Sequence, residues 1–350
     1  MKGTSLMRSG LIALFPLLLA VPTLPAQDVT AETFSVPRSI DPVLPSYPFR
    51  EVVAGEEGLV RVDFMVDREG KAFDPVVADF TGSDKFHAAA LEALLASRFE
   101  PARREGEPIV GSATILYRFE LEGGSTSASE RFSGVYRNFQ RALRGEDESE
   151  IRSALEDLEA AGAQNHYEHA FLNLARYNVA TRYGSDLDEM HHLWAALSNS
   201  ASPSDPLYLD EALARELRRM LLPLQLRNNY FPYALDTYAL MEASGDAEAV
   251  AFFADTIAKV RALEFDETEY PIVLTLDAAG TTSMRLFKHH VAVTGGMGEV
   301  AEARLHCEQQ YVAFALERDV SYALPAEWGE CSMQIIGDAG ASFYLLQLGG

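Results

Sequence analysis

"YPFREVVAGEEGLVRVDFMVDREGKAF", residues 47–73, decides how the first third of the chain folds. Within it, "GLVRVDFMV" (58–66) sets Leu59, Val62, Phe64 and Val66 among polar neighbours at close to every second position, the period of a half-buried strand. "DREG" (67–70) is a tight turn whose glycine supplies a positive φ. A second strand follows in "KAFDPVVADF" (71–80), and Pro75 marks it as bulged or peripheral, since proline cannot donate to a ladder. Ser83 is a good N-cap for a helix over 84–97 that lines up Phe86, Ala90 and Leu94. A third strand is predicted from Ile109 to Leu121, with Ile115, Tyr117, Phe119 and Leu121 alternating. The order helix, strand, strand, helix, strand describes a small two-layer α/β unit over 47–122.

The pattern changes twice beyond it. Residues 27–46 contain Pro37, Pro42 and Pro45 and read as an extended leader, spanning roughly 60 Å at about 3.1 Å per residue as polyproline II. Residues 123–129 are a Gly/Ser linker. From 130 to 265 the apolar spacing becomes three and four, and helices are predicted near 131–144, 148–161, 166–183, 187–199, 207–224, 230–243 and 246–264. Tyr233-Ala234-Leu235 and Tyr238-Ala239-Leu240 alternate bulky and small residues, as stacked helical hairpins of the tetratricopeptide type do. From 266 to 350 the period returns to two, in six or seven short runs, which points to an antiparallel β-sandwich. The expected fold class is therefore multidomain α+β.

Length and composition are compatible with this plan. The 350 residues are 48% hydrophobic and 23% charged, with a formal net charge of −23. Acidic residues outnumber basic ones by 18 to 10 in 27–122, 22 to 13 in 123–265 and 12 to 4 in 266–350. A surface so uniformly negative repels nucleic acid, which needs clustered Lys and Arg. The N-terminus reads as an export signal over 1–26: Lys2 and Arg8 precede an apolar run from Leu11 to Val21, and Leu24-Pro25-Ala26 offers a cleavage site. That run is shorter than the about 20 residues of a membrane span, so with the signal removed no stable span is expected. Cys307 and Cys331, in an exported chain, are expected to form one disulfide.

Residues that could carry chemistry do not assemble into a motif. His166 and His169 lie three apart on one predicted helix and His191 and His192 on the next. They lack a partnering carboxylate pattern and read as solvated, with no metal site. His289, His290 and His306 read as surface or edge residues. No nucleophile elbow, phosphate loop or calcium-loop spacing occurs. Catalytic, cofactor-binding and metal residues are accordingly expected to be none, and the chain is read as non-enzymatic.

From Tyr47 to Leu121 the sequence resembles the C-terminal domain of the TonB energy-transducer family. Tyr47-Pro48 opens a short helix. Gly58, Val60, Val62, Phe64, Val66 and Gly70 follow the family's strand–turn pattern. Arg98, Phe99 and Pro101 close the helix, and "GEPIVGSATILYRFEL" supplies the last strand. Ser97 stands where the family usually has tryptophan, so the core there must be filled differently. The resemblance implies a sheet edge that accepts an extended peptide by strand addition. The docking edge is placed on the closing strand, with Ser112, Thr114, Leu116 and Arg118 outward. It implies protein or peptide partners in the envelope, an outer-membrane transporter among them; a homodimer paired through the same edge fits the sequence equally.

Two readings follow. In the first, the chain is an exported periplasmic interaction scaffold that uses the TonB-like unit and the helical hairpins to hold polypeptides. In the alternative, an uncleaved signal anchors it in the inner membrane, facing the periplasm, as an energy transducer in TonB-dependent transport. The apolar segment lacks the polar or histidine residue that a motor-coupled helix carries, which favours the first.

Overall fold

The computed structural model describes residues 34–122, 127–197 and 208–349; the export signal read over 1–26 lies outside them. The first unit opens with two short strands, β1 (Phe34–Ser35) and β2 (Arg38–Asp41), then helix α1 (Phe49–Ala54). Strands β3 (Gly58–Val66) and β4 (Ala72–Thr81) form the hairpin read from the opening stretch, and α2 (Asp84–Ala96) crosses behind it. Ser83 caps α2, its hydroxyl accepting from Lys85 N at 3.2 Å. Three short strands, β5 (Arg98–Glu100), β6 (Ala102–Arg104) and β7 (Glu107–Ile109), lead into the closing strand β8 (Gly111–Phe119).

The even positions of β3 face α2. Val60, Val62, Phe64 and Val66 join Phe86, Ala90, Leu94, Tyr117 and Phe119 in one buried cluster. Phe86 stacks on Phe119 at 4.3 Å, and Tyr47 stands edge-on to both at 5.5 and 5.6 Å. Such ring pairs contribute about 0.5–1.5 kcal/mol each beyond area burial. Burial, helped by Glu57, Glu56, Glu120 and Glu51, pushes the Tyr47 hydroxyl up to about 12. It therefore stays protonated and donates to Glu56 O at 2.6 Å. Gly70 has φ 79°, and a side chain there would collide with the Phe99 carbonyl. The turn thus needs glycine for both conformation and space.

Residues 34–41 add a finding to the reading of an extended leader. They are extended, but β1 pairs antiparallel with β6 and β2 with β5. Ser97 explains part of this: it is fully buried, and its hydroxyl accepts from Val43 N at 2.9 Å while donating to Ala93 O at 2.8 Å. The small polar residue found where the family has tryptophan thus ties the leader down.

Seven helices follow: α3 (Glu130–Ala142), α4 (Glu148–Ala161), α5 (His166–Tyr183), α6 (Asp186–Leu197), α7 (Glu211–Arg227), α8 (Phe231–Ala243) and α9 (Ala247–Leu263), each packed on the next. Side-chain caps explain several starts: Ser129, Asp147, Asn165, Asp210 and Asp246 each accept from the first turn of the helix they precede. Ala234 is fully buried beside Leu222, Tyr238 and Met241.

Strands β9 (Tyr270–Thr275), β10 (Thr281–Arg285), β11 (His290–Met297), β12 (Val300–Cys307), β13 (Tyr311–Ala315), β14 (Ser321–Ala323), β15 (Cys331–Gly337) and β16 (Ser342–Gln347) complete the chain. They form two four-stranded antiparallel sheets, ordered β10-β15-β12-β13 and β14-β11-β16-β9. Inward residues of both sheets, among them Ile272, Val293, Leu305, Ile335 and Leu345, pack together, and the same buried cluster continues into Leu193, Leu217, Leu221 and Phe231 of the helices. The boundary read at residue 265 is therefore not a boundary between cores. Strand β11 reaches Met297 through an irregular pairing with β16. Cys307 and Cys331 face each other on β12 and β15 and are joined.

Candidate peptide-docking edge

The three-stranded sheet β4-β3-β8 has two edges, and they differ. Strand β4 pairs with β3 in a register that shifts twice, between Arg61 and Val62 and again between Asp63 and Met65. Asp74 sits there at φ 47°, next to Pro75. Bulges and proline are the usual defences of an exposed edge. Strand β8 has none: it pairs with β3 through nine consecutive positions, Gly58↔Phe119 to Val66↔Gly111, without a shift. Such an edge carries none of the interruptions that keep a further strand from adding to a sheet.

The structure places the four predicted residues on this strand, on the face away from α2. Thr114 is exposed and its hydroxyl donates to Asp63 Oδ1 at 2.6 Å, while Ser112, Leu116 and Arg118 are half-buried. Other parts of the chain hold both ends of β8. At the start, Gly111 packs so closely on Ala102, Pro37 and Glu308 that a Cβ would lie 2.8 Å from the Glu308 carbonyl oxygen. Just past the end, Leu121 N donates to Glu57 Oε1 at 3.2 Å, and the Tyr208 hydroxyl binds the Glu120 carboxylate. Burial pushes the Glu57 carboxyl up, opposed by the Leu121 N–H. Between these anchors lies the middle of the strand, where Thr114 is the exposed position.

The β3–β4 hairpin end is pinned from another direction. Asp74 accepts from Arg304 Nη1 at 2.6 Å and contacts His306 Nε2 at 2.8 Å, both on β12, and Phe73 meets Tyr311 of β13 edge-on at 5.1 Å. Burial alone would raise the Asp74 carboxyl, but hydrogen bonds from Tyr311 and His306 and the charges of His306 and Arg304 outweigh it and hold it below its ordinary value. His306, read as a surface or edge residue, is buried. Leu59 and Met65, on the face away from α2, are fully buried as well. The described residues of the unit thus belong to the same compact body as those of the helices and the two sheets.

His166 also departs from the solvated reading. It is buried with its ring 4.4 Å from that of Tyr208, and burial, opposed by Glu120 and aided by His169 and Arg118, brings it down to about 4. Burial lowers His169 to about 4 too, opposed mainly by Glu168. Both rings are neutral at pH 7. Among the described residues no group of three or more His, Cys, Asp or Glu side chains is placed to hold a metal ion. Nor is any helix among them long and apolar enough to cross a membrane.

Residues 43–121 match the model of the family described as Gram-negative bacterial TonB protein C-terminal. Over this segment the chain is similar to that family. The protein TonB of Vibrio cholerae is 29% identical over 105 residues, covering 29% of this chain; the chain spans 43% of the length of that relative. A solution NMR structure of the Pseudomonas aeruginosa TonB C-terminal domain is 30% identical, with 25% of this chain and 89% of that one covered at a TM-score of 0.23. The Asp74 contacts and the Tyr208–Glu120 tie were missed from sequence because their partners lie far apart in the chain; only Pro75, next to Asp74, was a local signal.

Proposed function

We propose that the chain is a non-enzymatic interaction scaffold of the cell envelope, in which β8 of the TonB-like domain takes an extended polypeptide by strand addition. The observation that carries this reading is the contrast between the two sheet edges: β4 is broken by two register shifts and Pro75, whereas β8 runs unbroken for nine pairs. Main-chain hydrogen bonds along the strand around Thr114 would supply affinity, and alternate side chains would supply choice of partner. The seven consecutive helices support a second, tetratricopeptide-like holding surface. A periplasmic location agrees with the export-like N-terminus and the disulfide.

The alternative, a membrane-anchored transducer serving TonB-dependent outer-membrane transport, draws on the likeness to the V. cholerae protein. Against it stands the leader, which is paired to the domain over 34–41 rather than left as a spacer. N-terminal sequencing of envelope protein separates the two: a start near Gln27 eliminates the anchored form.

Two adjacent proline substitutions test the docking edge. Along an edge strand successive N–H groups point alternately to the neighbour and to solvent. Of Thr114→Pro and Ile115→Pro, one therefore removes a free-edge donor and is tolerated, while the other breaks the ladder with β3. The variant that melts like wild type should lose its cross-linked envelope partners. If it keeps them all, the edge is not the docking site.

A further inference from the structure

A string of contacts leaves β8 at Gly111 and returns to it at Thr114. Gly111 lies against the Glu308 carbonyl. Glu308 N donates to Glu330 O at 3.0 Å, and Glu330 N donates to the Glu308 carboxylate at 3.4 Å. The Glu330 carboxylate lies 3.4 Å from Arg285 Nη2, while Arg285 Nη1 binds Asp236. Arg285 N donates to the Tyr233 hydroxyl at 3.1 Å. Burial raises that hydroxyl, and the charges of Asp63 and Asp236 add to the rise against Arg285. Asp63 closes the string, because its carboxylate accepts from the Thr114 hydroxyl. The first half of β8 is thus bordered by four carboxylates, those of Asp63, Asp236, Glu308 and Glu330, and by one guanidinium. The side chains of Asp236 and Glu330 are 54% and 78% exposed, so Arg285 leaves both open to solvent. The basic residues Arg61 and Arg118 belong to the other half of the strand, Arg61 across from Leu116.

We propose that the polypeptide taken up by β8 is cationic, an extended segment with Lys or Arg at alternate positions beside Ser112 and Thr114. The proposal rests on the strand-addition reading and adds the partner's chemistry to it. In an added strand every second side chain points to the same face, about 7 Å apart, so two basic residues can reach the acidic border at once. The border carries three more negative charges than positive ones, and an acidic segment there would meet like charge. The net charge of −23 acts in the same direction at longer range, drawing basic segments in and turning acidic ones away. Exposed carboxylates of this kind set the choice of partner and the rate of encounter more than the depth of binding.

Three short labelled peptides, alternating Val with Lys, with Ser or with Glu, test this by fluorescence anisotropy on the full chain. The Lys peptide should bind about tenfold or more tighter than the Ser peptide, and the Glu peptide most weakly. Salt should narrow the differences. Glu330→Gln and Glu330→Lys should melt like wild type, because that side chain is exposed and makes one long contact with Arg285. They should weaken the Lys peptide about threefold and tenfold, and Glu330→Lys should tighten the Glu peptide. A benzophenone side chain at Thr114 reports where each peptide sits. If the Ser peptide cross-links to Thr114 and binds as tightly as the Lys peptide, strand addition stands and the cationic preference is overturned. A Lys peptide indifferent to Glu330→Lys overturns it too, since net charge alone would then explain the binding. If no peptide cross-links to Thr114, the strand-addition reading fails and the proposal with it.

Discussion

Replacing Asp74 with Asn removes one charge from the joint between the TonB-like domain and the sandwich while changing little else. Asparagine tolerates the left-handed backbone that Asp74 adopts at φ 47°, so strain is not added. What is lost is charge assistance in the contacts with Arg304 and His306, at 2.6 and 2.8 Å, where the Asp74 side chain is only 14% exposed. The amide keeps one acceptor and turns an NH2 group towards a donor. Bonds to charged groups contribute about 1.5–3 kcal/mol each, but Arg304 is partly exposed and keeps Glu302 at 2.5 Å, so a net loss of about 2 kcal/mol is expected. For a body of this size that is a fall of about 3 °C in melting temperature. The loss depends on pH. Because the folded carboxyl titrates below its ordinary value of 3.8, its contribution is full above that value and fades as the pH falls through the depressed one. Calorimetry at pH 7 and at the lowest pH where both proteins still melt cooperatively checks this: the gap should be wide at pH 7 and narrow in acid. Equal melting at pH 7, or a gap unchanged in acid, would refute the reasoning.

Ala234→Phe should overpack the contact among Leu222, Tyr238 and Met241 and lower stability by about 1–3 kcal/mol in urea unfolding; an unchanged midpoint would remove Ala234 from the core. Lys288 is buried, and its ammonium donates to the Asp266 and Thr268 carbonyls, each at 2.7 Å. Lys288→Met should therefore strand two acceptors at the α9–β9 connection, cost about 2 kcal/mol and speed amide exchange in 266–270. Thiol titration of the unreduced, denatured protein should find no free thiol, and reduction should lower stability by about 3 kcal/mol by chain entropy; two free thiols would contradict the Cys307–Cys331 link.

Local signals in this sequence were read well, and non-local ones were not. The strand over Gly58–Val66 and the helices over 148–161 and 166–183 coincide with β3, α4 and α5, because period, caps and turn glycines all act within a few residues. Pro75 marked both a bulge and an edge for the same reason. The pairing of 34–41 could not be read, since β1 and β2 take their partners about 60–70 residues later and show no alternation of their own. Burial of His166 and His306 followed from tertiary neighbours, Tyr208 and Asp74, that no spacing rule reveals. For the docking row, the strand itself was legible, as β8. The covering of Ser112, Leu116 and Arg118 was not, because it comes from the way the rest of the chain closes around the sheet.

The central claim is that β8, and not β4, is the edge that meets other polypeptides. Photo-cross-linking in the intact envelope addresses it, with a benzophenone side chain placed at Thr114 on β8 or at Ala78 on β4, both exposed positions. The account predicts an adduct from Thr114 that mass spectrometry maps to an extended segment of another chain, and little from Ala78. Equal yields from the two positions, or none from Thr114, would contradict it.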